Sequence, residues 1–256
     1  MLGLGGVLSP TTESGVFSST LALELNGADS GVVLPDEFIE QVNPNSGTVS
    51  VWINMRENNA SANQNIFRFV DDDTNNGITL QYHKGHTQFR AVYRLGNVYK
   101  EATYEANITH AQYMALGWNH FAVTWESDGA GTGEVKIYYN SVLQETVSQP
   151  NNWGSDTMDR CVIGTNEDVS SAFYDGYIDQ FAVYNQVKVS SEIQAMYNDG
   201  VLADLSTNYF SSPTRTDYKT NGLIAYYQFE NNLLDSSGNN FTGTTEGTVT
   251  YNTSQP

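Results

Sequence analysis

The stretch WNHFAVTWESDGAGTGEVKIYYN, residues 118–140, carries the clearest strand pattern in the chain. Phe121, Val123 and Trp125 alternate with residues of the opposite face, which is the period-two pattern of a β-strand with one buried side. The same alternation returns in residues 135–139, and the Asn-Ser pair that follows can form a two-residue hairpin turn into the next strand. The stretch therefore predicts consecutive antiparallel strands.

The same alternation recurs along most of the chain. Further strands are predicted near residues 20–25, 48–55, 65–70, 77–82, 87–94, 97–104, 142–147, 160–164 and 176–184. Many short strands at this spacing are typical of a β-sandwich or barrel. One helix is predicted at residues 190–198, capped by Ser190 or Ser191, with Ile193 and Met196 on its apolar face and Gly200 beyond its end.

The composition excludes several classes of protein. The chain has 256 residues, with 29 Asp plus Glu against 11 Lys plus Arg, so its formal charge is −18. Nucleic acids and anionic membranes need a dense basic surface, so neither is expected as a partner, and no apolar run is long enough for membrane insertion. Cys161 is the only cysteine, which excludes intramolecular disulfides and multi-cysteine zinc sites. The first ten residues lack the features of a signal peptide, so no export signal is expected.

Several segments, in their order, resemble a laminin-G-like domain of the concanavalin A-like lectin and glucanase superfamily over residues 18–200. They are Val49–Trp52, Trp118–Ala122, Val135–Asn140, Val162–Gly164, Phe173–Asp179 and Val189–Tyr197. The resemblance implies an all-β fold, an antiparallel jelly-roll β-sandwich with one short C-terminal helix. It also implies a structural role for His120. Residues 1–17 are predicted to be an N-terminal arm and residues 201–221 a linker.

Residues 222–256 form a last β-like segment that departs from the family order. In many related domains a strand of this type opens the domain, whereas here it follows the linker. Three interpretations remain: the segment completes its own sandwich as in a circular permutation, it completes a neighbouring subunit's sheet, or it begins a domain that the chain lacks. In the second case it would be an assembly segment. Its contact residues would be Leu223, Ile224, Tyr226, Phe229, Val249 and Tyr251.

The sequence contains no recognisable catalytic motif, so we predict that the protein is not an enzyme. The Glu-x-Asp-x-x-Glu strand motif of related glucanases is absent, as are Gly-x-Ser-x-Gly and His-Glu-x-x-His. The four histidines are interpreted as packing or exposed residues.

No cofactor is required by this interpretation, and one structural Ca²⁺ is the only metal considered. The acidic stretch 71–77 fails as an EF-hand loop, because Asn76 and Tyr82 stand where that loop needs Gly and Glu. A solvated hairpin loop is expected there instead. By resemblance, Asp179 would bind calcium with Asn26 and Gly27 nearby; the alternative is that Asp179 caps a turn.

Four residues are candidates for glycan binding, because sugars need aromatic faces and planar amide or carboxylate partners on loops. Trp153 lies in a turn-rich segment and is predicted to be exposed. Asn166, Asp168 and Tyr174 come from the loop before the Phe173–Asp179 motif. A purely structural role is the alternative for each.

These observations favour a non-catalytic module that works by binding or assembly. The leading hypothesis is a virion surface protein of a tailed phage, made in the host cytoplasm, acting as a decoration, fibre or tail-associated protein. It would assemble with other virion subunits or as a homo-oligomer through its terminal segments and contact host cell-surface glycans. The alternative is an extracellular, free-standing carbohydrate-binding lectin or cell-surface adhesion domain.

Overall fold

The computed structural model describes residues 17–56, 63–71, 76–127, 132–149, 151–154, 157–206 and 222–256. The strands of these residues form two antiparallel sheets that face each other across one hydrophobic core. The predicted antiparallel β-sandwich of the jelly-roll, concanavalin A-like class is thus confirmed. The predicted arm, except Phe17, and residues 207–221 of the predicted linker lie outside the described residues.

One sheet has eight strands and is called the eight-stranded sheet. Its strands are β1 (Ala22–Asn26), β3 (Ser46–Met55), β8 (Asn119–Glu126), β9 (Glu134–Tyr139), β10 (Val142–Ser148), β12 (Asp175–Tyr184), β13 (Leu223–Tyr227) and β15 (Thr250–Asn252). They lie in the order β10-β9-β8-β3-β12-β1-β15, and β13 also pairs with β12.

The second, seven-stranded sheet lies on the other side of the core. It contains β2 (Gly31–Val33), β4 (Gln64–Asp71), β5 (Asn76–His83), β6 (Gln88–Leu95), β7 (Val98–Glu105), β11 (Arg160–Ile163) and β14 (Thr244–Glu246). Their order is β14-β2-β11-β4-β5-β6-β7. The lone Cys161 on β11 is fully buried, and burial raises the pKa of its thiol well above the usual value.

Within the residues that the structure describes, three α-helices accompany the sheets: α1 (Asp36–Ile39), α2 (His110–Met114) and α3 (Ser190–Tyr197). Only α3 was expected from the sequence. Its predicted serine cap is wrong, because the residue before the helix is Val189, whose backbone N–H donates to the Glu192 carboxylate at 2.9 Å. None of the helices in the described part of the chain has the length and apolar character to cross a bilayer.

The C-terminal segment pairs with strands of its own chain. Strand β13 lies beside β12, β15 lies beside β1, and β14 lies beside β2, so the segment extends both sheets. It is also fastened to the beginning of the described chain, where the Glu230 carboxylate accepts hydrogen bonds from the hydroxyl of Ser19 and the backbone N–H of Thr20 (2.6 and 2.7 Å).

This pairing corrects the predicted assembly surface. Four of the six proposed contact residues are buried in the chain's own hydrophobic clusters, namely Leu223, Ile224, Tyr226 and Phe229. The other two, Val249 and Tyr251, are half-buried. Because their side chains already fill this sandwich, they offer little surface to a second subunit. Contact through them would require the segment to leave its own sheets.

Candidate functional site

The outer face of the eight-stranded sheet is covered by its own chain. Helix α3 and the segment after it pack there, and Ile193, Met196 and Leu205 join sheet residues such as Ala122 and Tyr226 in a second hydrophobic cluster. Among the described residues, no such cluster lies on the outer face of the seven-stranded sheet. Arg68 and Arg90 on that face remain partly exposed (21% and 17%), so it is the candidate surface for a ligand.

Strand alternation decides which side chains reach this face. Phe67 and Phe69 of β4 point into the core, so Arg68 between them points outward. The same holds on β6, where core residues alternate with arginines. The residues that share this outer surface, here named the arginine face, are Arg68, Thr79, Gln81, Arg90, Val92, Arg94, Glu101 and Arg160.

A chain of planar hydrogen-bonding groups crosses the arginine face. The Gln81 amide donates to Asn65 Oδ1 at 2.9 Å, and Arg90 donates through Nη2 to Gln81 Oε1 at 2.7 Å. Arg90 Nη1 then contacts the Glu101 carboxylate at 3.2 Å, and the Asn65 amide donates to the Thr165 carbonyl at 3.3 Å. Four side chains from four different strands are thereby held in fixed orientations.

A second anchor connects the face to the loop between β11 and β12. Arg68 pairs with Glu167 through two hydrogen bonds, one of them 3.2 Å long, and both side chains remain about one-fifth exposed (21% and 24%). Burial opposes ionisation of Glu167, but its own backbone N–H and Arg68 outweigh burial and lower the pKa of the carboxyl. Glu167 is therefore a fixed carboxylate at the edge of the arginine face.

Arg94 and Arg160 have no carboxylate within ion-pairing distance among the described residues. Arg94 donates through Nε to the Gly96 carbonyl at 2.8 Å, and its guanidinium lies 4.9 Å from the ring centre of Tyr99. Arg160 Nε is buried and has no hydrogen-bond partner within the described chain. On the same sheet, the pKa of His83 is lowered mainly by burial and then by Arg90 and His86, while Glu101 opposes the shift.

The predicted glycan-binding residues do not form one site. Trp153 is only 3% exposed and Tyr174 is fully buried, so the predicted exposure of Trp153 is wrong and neither ring offers a face to a sugar. Trp153 packs edge-on against Tyr93 in the core. Asn166 and Asp168 flank Glu167 beside the arginine face, and Asp168 is exposed. Asn166 Oδ1 accepts a hydrogen bond from the backbone N–H of Ser170 at 2.8 Å and closes the loop.

The structure does not bring together the three residues predicted to bind calcium. Asn26 lies opposite Asp175 in the ladder of β1 and β12, four residues from Asp179, or roughly 13 Å along the strand. The Asn26 side chain accepts from the backbone of Ala28 at 2.9 Å and from that of Asp29 at 3.1 Å, so it closes the turn that contains Gly27. No group of three or more His, Cys, Asp or Glu side chains suited to a metal occurs among the described residues.

Asp179 follows the core residue Ile178 and lies opposite Trp52, on the outer face of the eight-stranded sheet. It is fully buried, and burial raises the pKa of its carboxyl to about 8, with the hydrogen bonds from Ser19 and Gln180 opposing the shift. One carboxyl oxygen accepts from the Gln180 backbone at 2.7 Å. This is the side chain to backbone contact of the alternative interpretation, in which Asp179 stabilises a local irregularity of the strand.

Sequence reasoning missed the arginine face, although part of its signal was present. Arg90 and Arg94 are four residues apart on a predicted strand, so they share one face, and Arg68 stands between two phenylalanines. The pairing of β11 with β4 and of β4 with β5 could not be read from that pattern, and it is this pairing that gathers the arginines.

Comparison with known proteins gives a consistent family and fold. Residues 26–194 match a laminin-G family model described as concanavalin A-like lectin/glucanases superfamily. No curated protein sequence matches the chain. Among solved structures, the fold is similar to a protein from Bacteroides ovatus ATCC 8483 described as carbohydrate binding, with 15% identity and a TM-score of 0.59 over 92% of this chain. The chain spans 60% of the length of that protein.

Two further structures share the fold. One is the CBM40 of the Ruminococcus gnavus IT-sialidase, with 17% identity, a TM-score of 0.54, and coverage of 69% of this chain and 96% of that one. The other is domain 4 of AbnA, a GH43 extracellular arabinanase from Geobacillus stearothermophilus, in complex with arabinotriose, with 21% identity, a TM-score of 0.50, and coverage of 69% and 76%. At these identities the likeness shows the fold alone.

Proposed function

Because the chain belongs to the concanavalin A-like lectin and glucanase superfamily, we propose that it is a non-catalytic carbohydrate-binding module whose glycan lies across the arginine face. The observation that carries the proposal is the row of partly exposed planar groups on that face, Gln81, Arg90 and Glu101, which is fixed at one end by a hydrogen bond from Gln81 to the buried Asn65. The carbohydrate-binding structures that share the fold support it. Among the described residues, no hydrophobic cluster covers that face.

The chemistry of this row suits sugar hydroxyls. Amides both donate and accept, guanidinium groups only donate, and carboxylates only accept, so a row of all three can pair with neighbouring hydroxyls in either direction. The row is already fixed by its internal hydrogen bonds, so little side-chain freedom is lost when a ligand binds. A binding surface that buries little apolar area gains affinity from such preorganisation, because the entropy cost of ordering its side chains is already met in the free protein.

The absence of catalysis is supported by the state of the carboxyl groups. Glycoside hydrolysis needs one carboxyl group with a raised pKa to act as general acid beside a second carboxylate. On the arginine face, Glu101 and Glu167 are each paired with an arginine, and the pKa of Glu167 is lowered. Asp179 has the raised pKa that an acid needs, but its side chain is fully buried and so is out of reach of a substrate.

A glycan array followed by isothermal titration tests the binding proposal. Gln81→Ala removes the link between Asn65 and Arg90, and about tenfold weaker binding is expected because two partners lose a hydrogen bond. Gln144→Ala is the matched control, since Gln144 is an exposed glutamine on β10 of the other sheet. Absence of glycan binding by the unaltered protein, or equal binding by the two variants, would contradict the proposal.

A virion-surface role in a tailed phage, with assembly through the terminal segments, stays a prediction. Since the C-terminal segment pairs within its own chain, an assembly would more readily use other surfaces. Light scattering after size exclusion on the full chain tests it: a defined oligomer supports the prediction, and a monomer at all concentrations contradicts it.

Calcium binding also stays a prediction, to be tested by thermal unfolding with calcium and with a chelator. A midpoint that rises with calcium supports a bound ion. An unchanged midpoint contradicts it.

A further inference from the structure

The arginine face holds most of the arginines of a strongly acidic protein. The chain has six arginines and a formal charge of −18, yet four of the six, Arg68, Arg90, Arg94 and Arg160, point outward from the seven-stranded sheet. If solubility alone determined where charged residues lie, these arginines would not be expected together on one sheet face of an acidic molecule. The collection points to a ligand of the opposite charge.

The register of the strands places Arg160 and Arg94 at the two ends of one row across the sheet. Arg160 lies opposite Val70, Val70 opposite Gly77, and Gly77 opposite Arg94. With strands about 4.8 Å apart, the Cα atoms of Arg160 and Arg94 are roughly 14 Å apart, and Arg68 stands beside the row between them. The two residues between these arginines, Val70 and Gly77, are both buried, and a Cβ on Gly77 would come 3.2 Å from Val70 Cγ1.

The two inner arginines are neutralised and the two outer ones are not. Glu167 pairs with Arg68 and Glu101 pairs with Arg90, whereas Arg94 and Arg160 lack a carboxylate partner within the described chain. Arg160 also keeps a buried Nε that donates to nothing among these residues. A guanidinium presents a planar fork of donors that matches the two oxygens of a carboxylate or a sulfate.

We propose that the arginine face binds an anionic glycan, with the guanidinium groups of Arg94 and Arg160 each donating hydrogen bonds to a carboxylate or sulfate group of the sugar chain. This inference rests on the proposed glycan-binding function and adds the ligand class. The partly exposed row of Gln81 and the Arg90–Glu101 pair then holds sugar hydroxyls, and Arg94 and Arg160, which have no carboxylate partner among the described residues, select the charge.

Isothermal titration with matched ligands tests the ligand class. The probes are an oligogalacturonide, the same oligosaccharide with its carboxyl groups reduced to alcohols, and a sulfated heparin-derived oligosaccharide. At least one anionic ligand is expected to bind ten or more times tighter than the reduced ligand. Preference for the oligogalacturonide identifies the carboxylate as the recognised group, and preference for the heparin fragment identifies the sulfate.

Charge-matched variants locate the effect on the arginine face. Arg94→Gln and Arg160→Gln should each weaken the anionic ligand about tenfold and leave the reduced ligand unchanged, since each removes one charged hydrogen-bonding fork. Lys136→Gln removes the same charge from β9 of the other sheet and should change binding less than twofold. Circular dichroism and the unfolding midpoint of each variant establish that it is folded.

The two proposals fail in different ways. If the reduced and anionic ligands bind equally and Gln81→Ala weakens both, glycan binding stands and the anionic ligand class is overturned. If Lys136→Gln weakens binding as much as Arg94→Gln, the charge acts generally and the local site is overturned. If no glycan on the array binds, the proposed function itself falls.

Discussion

His120 gives a pH dependence of stability that can be isolated by one substitution. The ring is fully buried between β8 and its neighbours, with Nε2 within 2.8 Å of Ser50 Oγ and its ring centre 5.3 Å from that of Trp52. Its Nδ1 is buried without a hydrogen-bond partner among the described residues. Burial lowers the pKa of His120 from 6.5 to about 3, so the ring stays neutral in the folded protein down to low pH.

The sign and size of the effect follow from proton linkage. Between pH 6.5 and 3 the unfolded chain binds a proton at residue 120 that the folded protein does not, so this stabilising contribution is present above pH 6.5 and is lost as the pH falls. Integration from pH 7 to pH 5 gives a loss of about 1.9 kcal/mol in the free energy of unfolding. His120→Gln removes the titrating group, and with it this part of the pH dependence.

Urea unfolding at pH 7 and pH 5 measures the difference for both proteins. The double difference is the change in unfolding free energy between pH 7 and pH 5 in the wild type minus that change in His120→Gln. The packing change caused by glutamine is the same at both pH values, so it cancels. The opposing contribution of Asp179, whose pKa is raised to about 8, is present in both proteins and cancels as well. Gln144→Ala is the control, because Gln144 is exposed and carries no titratable group, so the wild-type pH dependence should remain. A double difference near zero for His120→Gln would refute the assignment of a buried neutral ring.

Two stability predictions follow from packing. Gly47→Ala should lower the free energy of unfolding in urea by about 1–3 kcal/mol, because its Cβ would lie 2.6 Å from Cη2 of the fully buried Trp125. Gly85→Ala is the control and should be nearly neutral, because the nearest atom to its Cβ is 3.4 Å away. Equal losses of stability in the two variants would contradict the prediction. Phe229→Ala should lower the free energy of unfolding by about 3–5 kcal/mol, because the ring fills the chain's own core. Leu234→Ala, at a residue that is 56% exposed, should change the stability little. An unchanged stability for Phe229→Ala would mean that the C-terminal segment does not fold into this sandwich.

Strand positions were predicted well because alternation is a local property. The strand expected at 48–55 is Ser46–Met55, and the helix expected at 190–198 is Ser190–Tyr197. Elements that are too short to show a period were not predicted, such as the three-residue strand β2 and helix α1. Three or four residues are too few to show the periodicity that separates a strand or a helix from a loop.

Site predictions were less successful because exposure is set by distant contacts. Trp153 stands among turn-forming residues and so was predicted to be exposed, but Asn45, more than a hundred positions away, accepts a hydrogen bond from its backbone at 2.8 Å and the ring enters the core beside Tyr93. Asn26 and Asp179 were expected together, but the register of β1 against β12 separates them.

Period-two alternation and family motifs are properties of neighbouring residues, so the amino-acid sequence was enough to identify an acidic β-strand protein of a recognisable family. The pairing of residues 223–252 within their own sandwich, and the gathering of four arginines from three strands on one face, became visible only in the folded chain. The physical reason is that backbone hydrogen bonds between strands do not depend on side-chain identity, so the pairing of distant strands is selected by how the whole core packs.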